Sequence, residues 1–165
     1  MIKIPTSIHL KGLKGEDFDF SAFARTHDCV VFLYPKMGES GKFLSEQLKN
    51  TEGMTGCTVQ AGEYKRLMSE FNELGFMVVA IGTQDLAEQI KFKEDTGAQF
   101  MFLNDADFAL ERALELPVFS SGDGKKFYFR QTLIIKGGKI VRADLVLKPQ
   151  DDAKNALELI KNRAF

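Results

Sequence analysis

Six consecutive residues, Cys29-Val30-Val31-Phe32-Leu33-Tyr34, all favour strands, and Pro35 ends the run. Side chains alternate between the two faces of a strand, so a run apolar throughout has no face to offer to water. Such a segment belongs in the middle of a sheet covered by helices on both sides. Phe76-Met77-Val78-Val79-Ala80-Ile81 is a second run of the same kind, and Phe100 to Leu103 a shorter one. Between these runs the spacing turns helical. Ala61, Tyr64, Leu67, Met68, Phe71 and Leu74 recur at three and four from Cys57 onward, and Gly75 stands at the usual C-terminal stop. A second helix is predicted from Thr83 to Thr96, with Leu86, Ile90 and Phe92 inward and Gly97 closing it, and a third from Asp105 to Leu116, ended by Pro117.

The last third of the chain reads differently. Segments 127–136 and 139–147 flank Gly137-Gly138, a two-residue hairpin signal. A final helix spans 151–163, with Ala153, Ala156, Leu157 and Ile160 on its apolar side. Alternating strands and helices followed by an antiparallel hairpin imply an α/β fold with a mixed central sheet between two helix layers. This is the layout of a thioredoxin-like fold, with a C-terminal β-hairpin plus helix; other three-layer α/β sheets share the same periodicity. A length of 165 residues suits a single domain over 1–165. Residues 1–28 are mixed, with Gly12 and Gly15 marking turns and a short apolar pattern at Phe18, Phe20 and Phe23. The irregular part is 37–56, with glycines at 38, 41, 53 and 56 and a short helix predicted over 42–49.

Charge and cysteine usage narrow the function. With 22 basic and 23 acidic residues there is no electrostatic footprint for nucleic acid or an anionic membrane. Apolar runs break within about eight residues, far short of the ~20 that span a bilayer. The opening Met1-Ile2-Lys3-Ile4-Pro5 has neither the apolar core nor the cleavage site of a signal peptide, so a cytoplasmic protein is expected. Two cysteines, Cys29 and Cys57, are too few for a secreted disulfide framework. Together with His9 and His27 they show no metal-ligand spacing, so neither metal nor cofactor is expected.

What remains is thiol chemistry. Cys57 stands where the loop Gly53-Met54-Thr55-Gly56 enters a helix. The first turn of a helix carries unpaired N–H groups and the positive end of the macrodipole, and both stabilise a thiolate. The alternative is a small packing residue, since free cysteines are among the most buried side chains.

The segment Gly56-Cys57-Thr58-Val59-Gln60-Ala61-Gly62-Glu63-Tyr64-Lys65 resembles the Gly-Cys-Thr-x-Glu-Ala-Cys-x-Phe-Arg signature of peroxiredoxins, most closely those of the bacterioferritin-comigratory-protein type. The similarity extends to Val30-Val31-Phe32-Leu33-Tyr34-Pro35-Lys36, Val79-Ala80-Ile81-Gly82-Thr83-Gln84-Asp85, Phe102-Leu103-Asn104-Asp105 and Arg130-Gln131-Thr132-Leu133-Ile134-Ile135, covering roughly residues 29–160. The resemblance implies that Cys57 is the peroxidatic cysteine and that Arg130 reaches the active site from a far strand. Read without it, Arg130 is a sheet cation packing its stem on Phe127 or Phe129. The resemblance also makes Pro35 the family's active-site proline. In the family that proline lies seven residues before the cysteine, and a Thr or Ser three before it bonds the peroxide. Here Pro35 lies 22 residues before Cys57, so the loop has gained about fifteen residues, roughly 38–53, expected to form an exposed wall of the site. Met54 holds the hydroxyl position, which leaves Thr55 to supply that group. Gln60 replaces the family's glutamate, and Gly62 the cysteine that many relatives use as resolving partner.

The implied function is a thiol-dependent peroxidase of one-cysteine type. Its expected substrates are hydrogen peroxide or alkyl hydroperoxides, and its reductant thioredoxin, glutaredoxin or glutathione, acting on a monomer or homodimer. Two alternatives stand beside it. A thioredoxin-type oxidoreductase needs a cysteine where Gln60 is, and a redox-sensing or inactive protein could use the same scaffold.

Overall fold

The structure is a computed structural model that describes residues 2–35 and 56–165. The insertion at 38–53, the short helix over 42–49, Met54 and Thr55 lie outside the described residues. In chain order the elements are β1 (Ile2–Lys3), β2 (His9–Lys11), β3 (Asp17–Asp19), α1 (Phe20–Thr26), β4 (Cys29–Leu33), α2 (Cys57–Glu73), β5 (Met77–Gly82), α3 (Leu86–Thr96), β6 (Met101–Asn104), α4 (Ala109–Leu114), β7 (Val118–Ser120), β8 (Lys126–Tyr128), β9 (Gln131–Lys136), β10 (Lys139–Leu145) and α5 (Pro149–Lys161).

Eight strands form one mixed sheet in the order β1-β10-β9-β4-β5-β6-β2-β3. β4, β5 and β6 run parallel, while β9 lies antiparallel on the other side of β4. The doubly apolar run is therefore the hub of the sheet, as its composition requires. Val30, Phe32 and Tyr34 face one core, with Ala61, Tyr64 and Phe71 of α2, Phe92 of α3 and Ala153, Ala156 and Ile160 of α5. Cys29, Val31 and Leu33 face the other, with Phe20 and Ala24 of α1 and Leu110 and Leu114 of α4. This is the thioredoxin-like arrangement, with helices on both faces. Gly137 and Gly138 both have positive φ, 60° and 75°, the conformation that a tight two-residue hairpin demands. No helix among the described residues is long and apolar enough to cross a membrane.

Several boundaries differ from the sequence expectation, each for a local reason. The helix expected from Thr83 starts at Leu86, because the Asp85 side chain caps it by accepting from the Glu88 N–H at 2.9 Å. Its inward line carries Gln89, not Ile90, which is exposed. Gln89 pays for burial with hydrogen bonds, its Nε2 donating to the Leu103 carbonyl at 2.8 Å and to Tyr34 Oη at 3.1 Å. The helix expected from Asp105 starts only at Ala109, since the Asp105 carboxylate instead accepts from the Ala109 and Leu110 N–H groups and from Tyr128 Oη. The segment 127–136 is not one strand. It divides into β8, paired with β7 in a separate two-stranded ribbon, and β9 in the main sheet. The break falls at Phe129-Arg130, and that joint positions the site. The mixed stretch 1–28 contributes β1, β2, β3 and α1, none of which its pattern announces.

Candidate active site

Cys57 is the first residue of the 17-residue α2, and the second residue of the site is supplied by the joint between β8 and β9. Gly56, at the N-cap, has φ 103°, a left-handed conformation that an L side chain resists, and no side chain caps this helix end. A Cβ on Gly56 would also come within 3.0 Å of Pro149, the first residue of α5. Glycine thus lets the N-termini of α2 and α5 meet side by side. Cys57 is only 7 % exposed, in the first turn of α2, at the positive end of that helix.

Arg130 is the largest of the fully buried side chains, at 1 % exposure. Its backbone is pinned at the joint, with the Val146 N–H donating to the Arg130 carbonyl at 2.9 Å and the Phe129 N–H to the Pro117 carbonyl at 3.2 Å. The guanidinium Nη2 donates to Cys57 Sγ at 3.3 Å and Nη1 to Gln60 Oε1 at 2.6 Å. A buried guanidinium is tolerated only where its donors are matched, and the fork meets sulfur and amide oxygen at once.

Behind this pair sits a residue to which no motif points. Asp152 of α5 is buried, and its Oδ2 accepts from Gln60 Nε2 at 2.9 Å, Tyr64 Oη at 2.7 Å and Thr132 Oγ1 at 2.8 Å. Burial raises its carboxyl above the ordinary range, against the three hydrogen bonds and the Arg130 charge, which act to lower it. Burial and the neighbouring Asp152 carboxylate push the Tyr64 phenol well above its usual value. Tyr64 in turn stacks flat on Phe32, with ring centroids 4.4 Å apart, tying the polar cluster to the central strand. A signal for Asp152 was present in the sequence: it lies four residues before Ala156 and eight before Ile160, on the apolar side of its helix.

The residues that the sequence singles out fare unequally. Cys57 and Arg130 come into direct contact. Pro35 is buried directly after Tyr34, which shares the Cys57 core. Thr55 lies outside the described residues. Cys29 is fully buried on the opposite face of the sheet, beside Met77 and Ile135, and burial pushes its thiol up to about 12. Iodoacetamide at about pH 8, near the ordinary thiol range, is therefore expected to modify native protein at Cys57 and to leave Cys29 untouched until denaturant is added. Peptide mapping that finds Cys29 modified first would contradict this.

The wall near Tyr34 depends on a second glycine. A Cβ at Gly82 would lie 2.6 Å from both Cζ and Oη of Tyr34, a ring that is 1 % exposed and cannot swing away. Gly82→Ala is expected to cost about 1–3 kcal/mol by overpacking, read as a lowered midpoint in denaturant unfolding.

Comparison with known proteins identifies the family. The chain belongs to the Redoxin family, whose model matches residues 3–160. Within that family its likeness is to peroxiredoxins of the bacterioferritin-comigratory-protein type. It is 24 % identical over 158 residues to Peroxiredoxin Bcp of Bacillus subtilis, covering 94 % of this chain and 90 % of that protein. The fold is shared with Peroxiredoxin Q of Xanthomonas campestris, with a TM-score of 0.76, 20 % identity and coverage of 100 % and 98 % of the two chains. Peroxidoxin BcpB of Mycobacterium tuberculosis superposes with a TM-score of 0.73 at 21 % identity, covering 98 % of this chain and 97 % of that one.

Proposed function

We propose that this protein is a thiol peroxidase that reduces hydrogen peroxide and organic hydroperoxides through a sulfenic acid on Cys57. The observation that carries the reading is the 3.3 Å contact between Arg130 Nη2 and Cys57 Sγ at the start of α2. The Cys57 thiolate attacks the terminal peroxide oxygen. The O–O bond breaks, sulfur is oxidised by two electrons, and the other oxygen takes a proton and leaves as water or alcohol. Arg130, with donors on two nitrogens, stabilises the thiolate and the charge growing on the leaving oxygen. Pro35 shields the sulfur, and Thr55 supplies the hydroxyl that Met54 lacks.

We further propose a one-cysteine cycle. A disulfide needs Cα atoms within about 7 Å, and Cys29 and Cys57 belong to cores on opposite faces of the central sheet. An external thiol such as thioredoxin, glutaredoxin or glutathione then attacks the sulfenic sulfur, releasing water and leaving a mixed disulfide; a second thiol reduces this and frees Cys57. A reducing compartment such as the cytoplasm suits a chain whose two cysteines are too few for a secreted disulfide framework.

The test is peroxide consumption with an added dithiol, together with trapping of the sulfenic acid after one equivalent of peroxide. Sustained consumption with the adduct on Cys57 supports the proposal. An adduct that forms without turnover identifies a sensor instead, and no adduct removes both readings. Non-reducing mass spectrometry of peroxide-treated protein is expected to show oxygen added to Cys57 and no internal crosslink; a Cys29–Cys57 disulfide would overturn the one-cysteine cycle.

A further inference from the structure

We propose that Asp152 is a positioning residue for the peroxide reaction, acting through Gln60 to aim Arg130 at Cys57. The inference rests on the thiol peroxidase reading above and names a residue of the same site. Four side chains from three separate parts of the chain form a line: Asp152 Oδ2 accepts from Gln60 Nε2 at 2.9 Å, Gln60 Oε1 accepts from Arg130 Nη1 at 2.6 Å, and Arg130 Nη2 donates to Cys57 Sγ at 3.3 Å.

The line has a polarity, and both of its ends enforce it. A glutamine amide carries an acceptor on one side and two donors on the other, and turning it by half a turn exchanges them. A guanidinium only donates, and an ionised carboxylate only accepts. Gln60, fully buried between the two, satisfies both in a single orientation, with oxygen toward Arg130 and nitrogen toward Asp152. The hydroxyls of Tyr64 and Thr132 cannot impose that orientation, because a hydroxyl can donate or accept. An amide at 152 removes the constraint from that end and leaves Arg130 alone to hold it, because an amide can present either its oxygen or its N–H groups to Gln60. Whenever Gln60 flips, it presents N–H groups to the guanidinium, donor against donor, and turns the fork away from sulfur. Asp152 Oδ2 is itself held by three donors, which fixes the carboxyl group one side chain behind Arg130.

The experiment measures the second-order rate of Cys57 oxidation by hydrogen peroxide in stopped flow, at a temperature well below the unfolding midpoint of each variant. Asp152→Asn is expected to slow oxidation at least fivefold. Adding Gln60→Glu to it moves the carboxylate next to Arg130 and lets the new amide at position 152 donate, so the double variant is expected to return to within fivefold of wild type. In a Gln60→Met background Asp152→Asn is expected to change the rate less than twofold, because the relay is already cut. A structural tie between helices would lower the unfolding midpoint without producing this rescue. Oxidation of folded Asp152→Asn at less than a fivefold deficit overturns the proposal, as does a double variant more than fivefold below wild type or a larger effect in the Gln60→Met background. If Asp152→Asn alone does not fold, the double variant decides by the same limit. Failure of the peroxidase reading is separate: it shows as wild-type protein that peroxide does not oxidise at Cys57.

Discussion

Cys57→Ser is expected to abolish peroxide-dependent turnover, while Cys29→Ser keeps it within about twofold of wild type. A serine hydroxyl is not ionised near neutral pH, and its oxygen cannot form the sulfenic acid on which the cycle depends. The loss is thus to background, however well the fold survives. Cys29 starts β4 in the core away from α2, so its replacement does not touch the reacting sulfur. It is not without cost. The serine hydroxyl would sit among Ile135, Met77 and other apolar neighbours, lowering stability by about 1–3 kcal/mol. The measurement is coupled peroxide consumption at a temperature where both variants are folded, with circular dichroism as the check. Residual turnover in Cys57→Ser, or its loss in folded Cys29→Ser, would reassign the nucleophile.

Arg130→Lys is expected to slow oxidation of Cys57 by roughly 30- to 1,000-fold, the effect of losing about 2–4 kcal/mol of transition-state stabilisation in a dry site. Lysine keeps the charge but concentrates it in one shorter-reaching ammonium. It cannot hold Sγ and Gln60 Oε1 at 3.3 and 2.6 Å with two separate nitrogens in one plane. The defect should lie in the reaction with peroxide and not in recycling, since the contact is to the reduced sulfur. Single-turnover oxidation at several peroxide concentrations separates the two. A variant that reacts at the wild-type rate would reduce Arg130 to a sheet residue.

The central strand, the long helix after Cys57 and the glycine hairpin were legible in the sequence because each has a strong local cause: an unbroken apolar run, a three-four spacing, and paired glycines able to take positive φ. The Cys57–Arg130 pairing was legible only through the family resemblance, because nothing local brings together residues 73 positions apart. The break between β8 and β9 was hidden, since Phe127 to Lys136 reads as continuous strand and only pairing to two different sheets divides it. Asp152 and Gln89 escaped the sequence reading for a shared reason. Each is a polar residue on an inward line, satisfied by partners that only the tertiary fold supplies, and propensity assigns such residues to water. The expected inward Ile90 lost to Gln89 because the amide meets Tyr34 and Leu103 there.

The two faces of β4 bear on how the chain finds its pairing. A strand apolar on both sides ordinarily has weak protection against slipping by one residue, because either face is content in a hydrophobic interior. Here the interiors differ in kind. One takes Phe32 and Tyr34 into an aromatic stack with Tyr64, Phe92, Phe100 and Phe102. The other takes Val31 and Leu33 beside Val79, Ile81 and Leu133. A one-residue slip would press two rings into the aliphatic side and leave voids on the aromatic side, incurring overpacking and cavity penalties together. Alternating ring and branched aliphatic side chains along the strand therefore act as a ratchet, and the correct tooth is the one that seats Tyr34 in the core that holds Cys57.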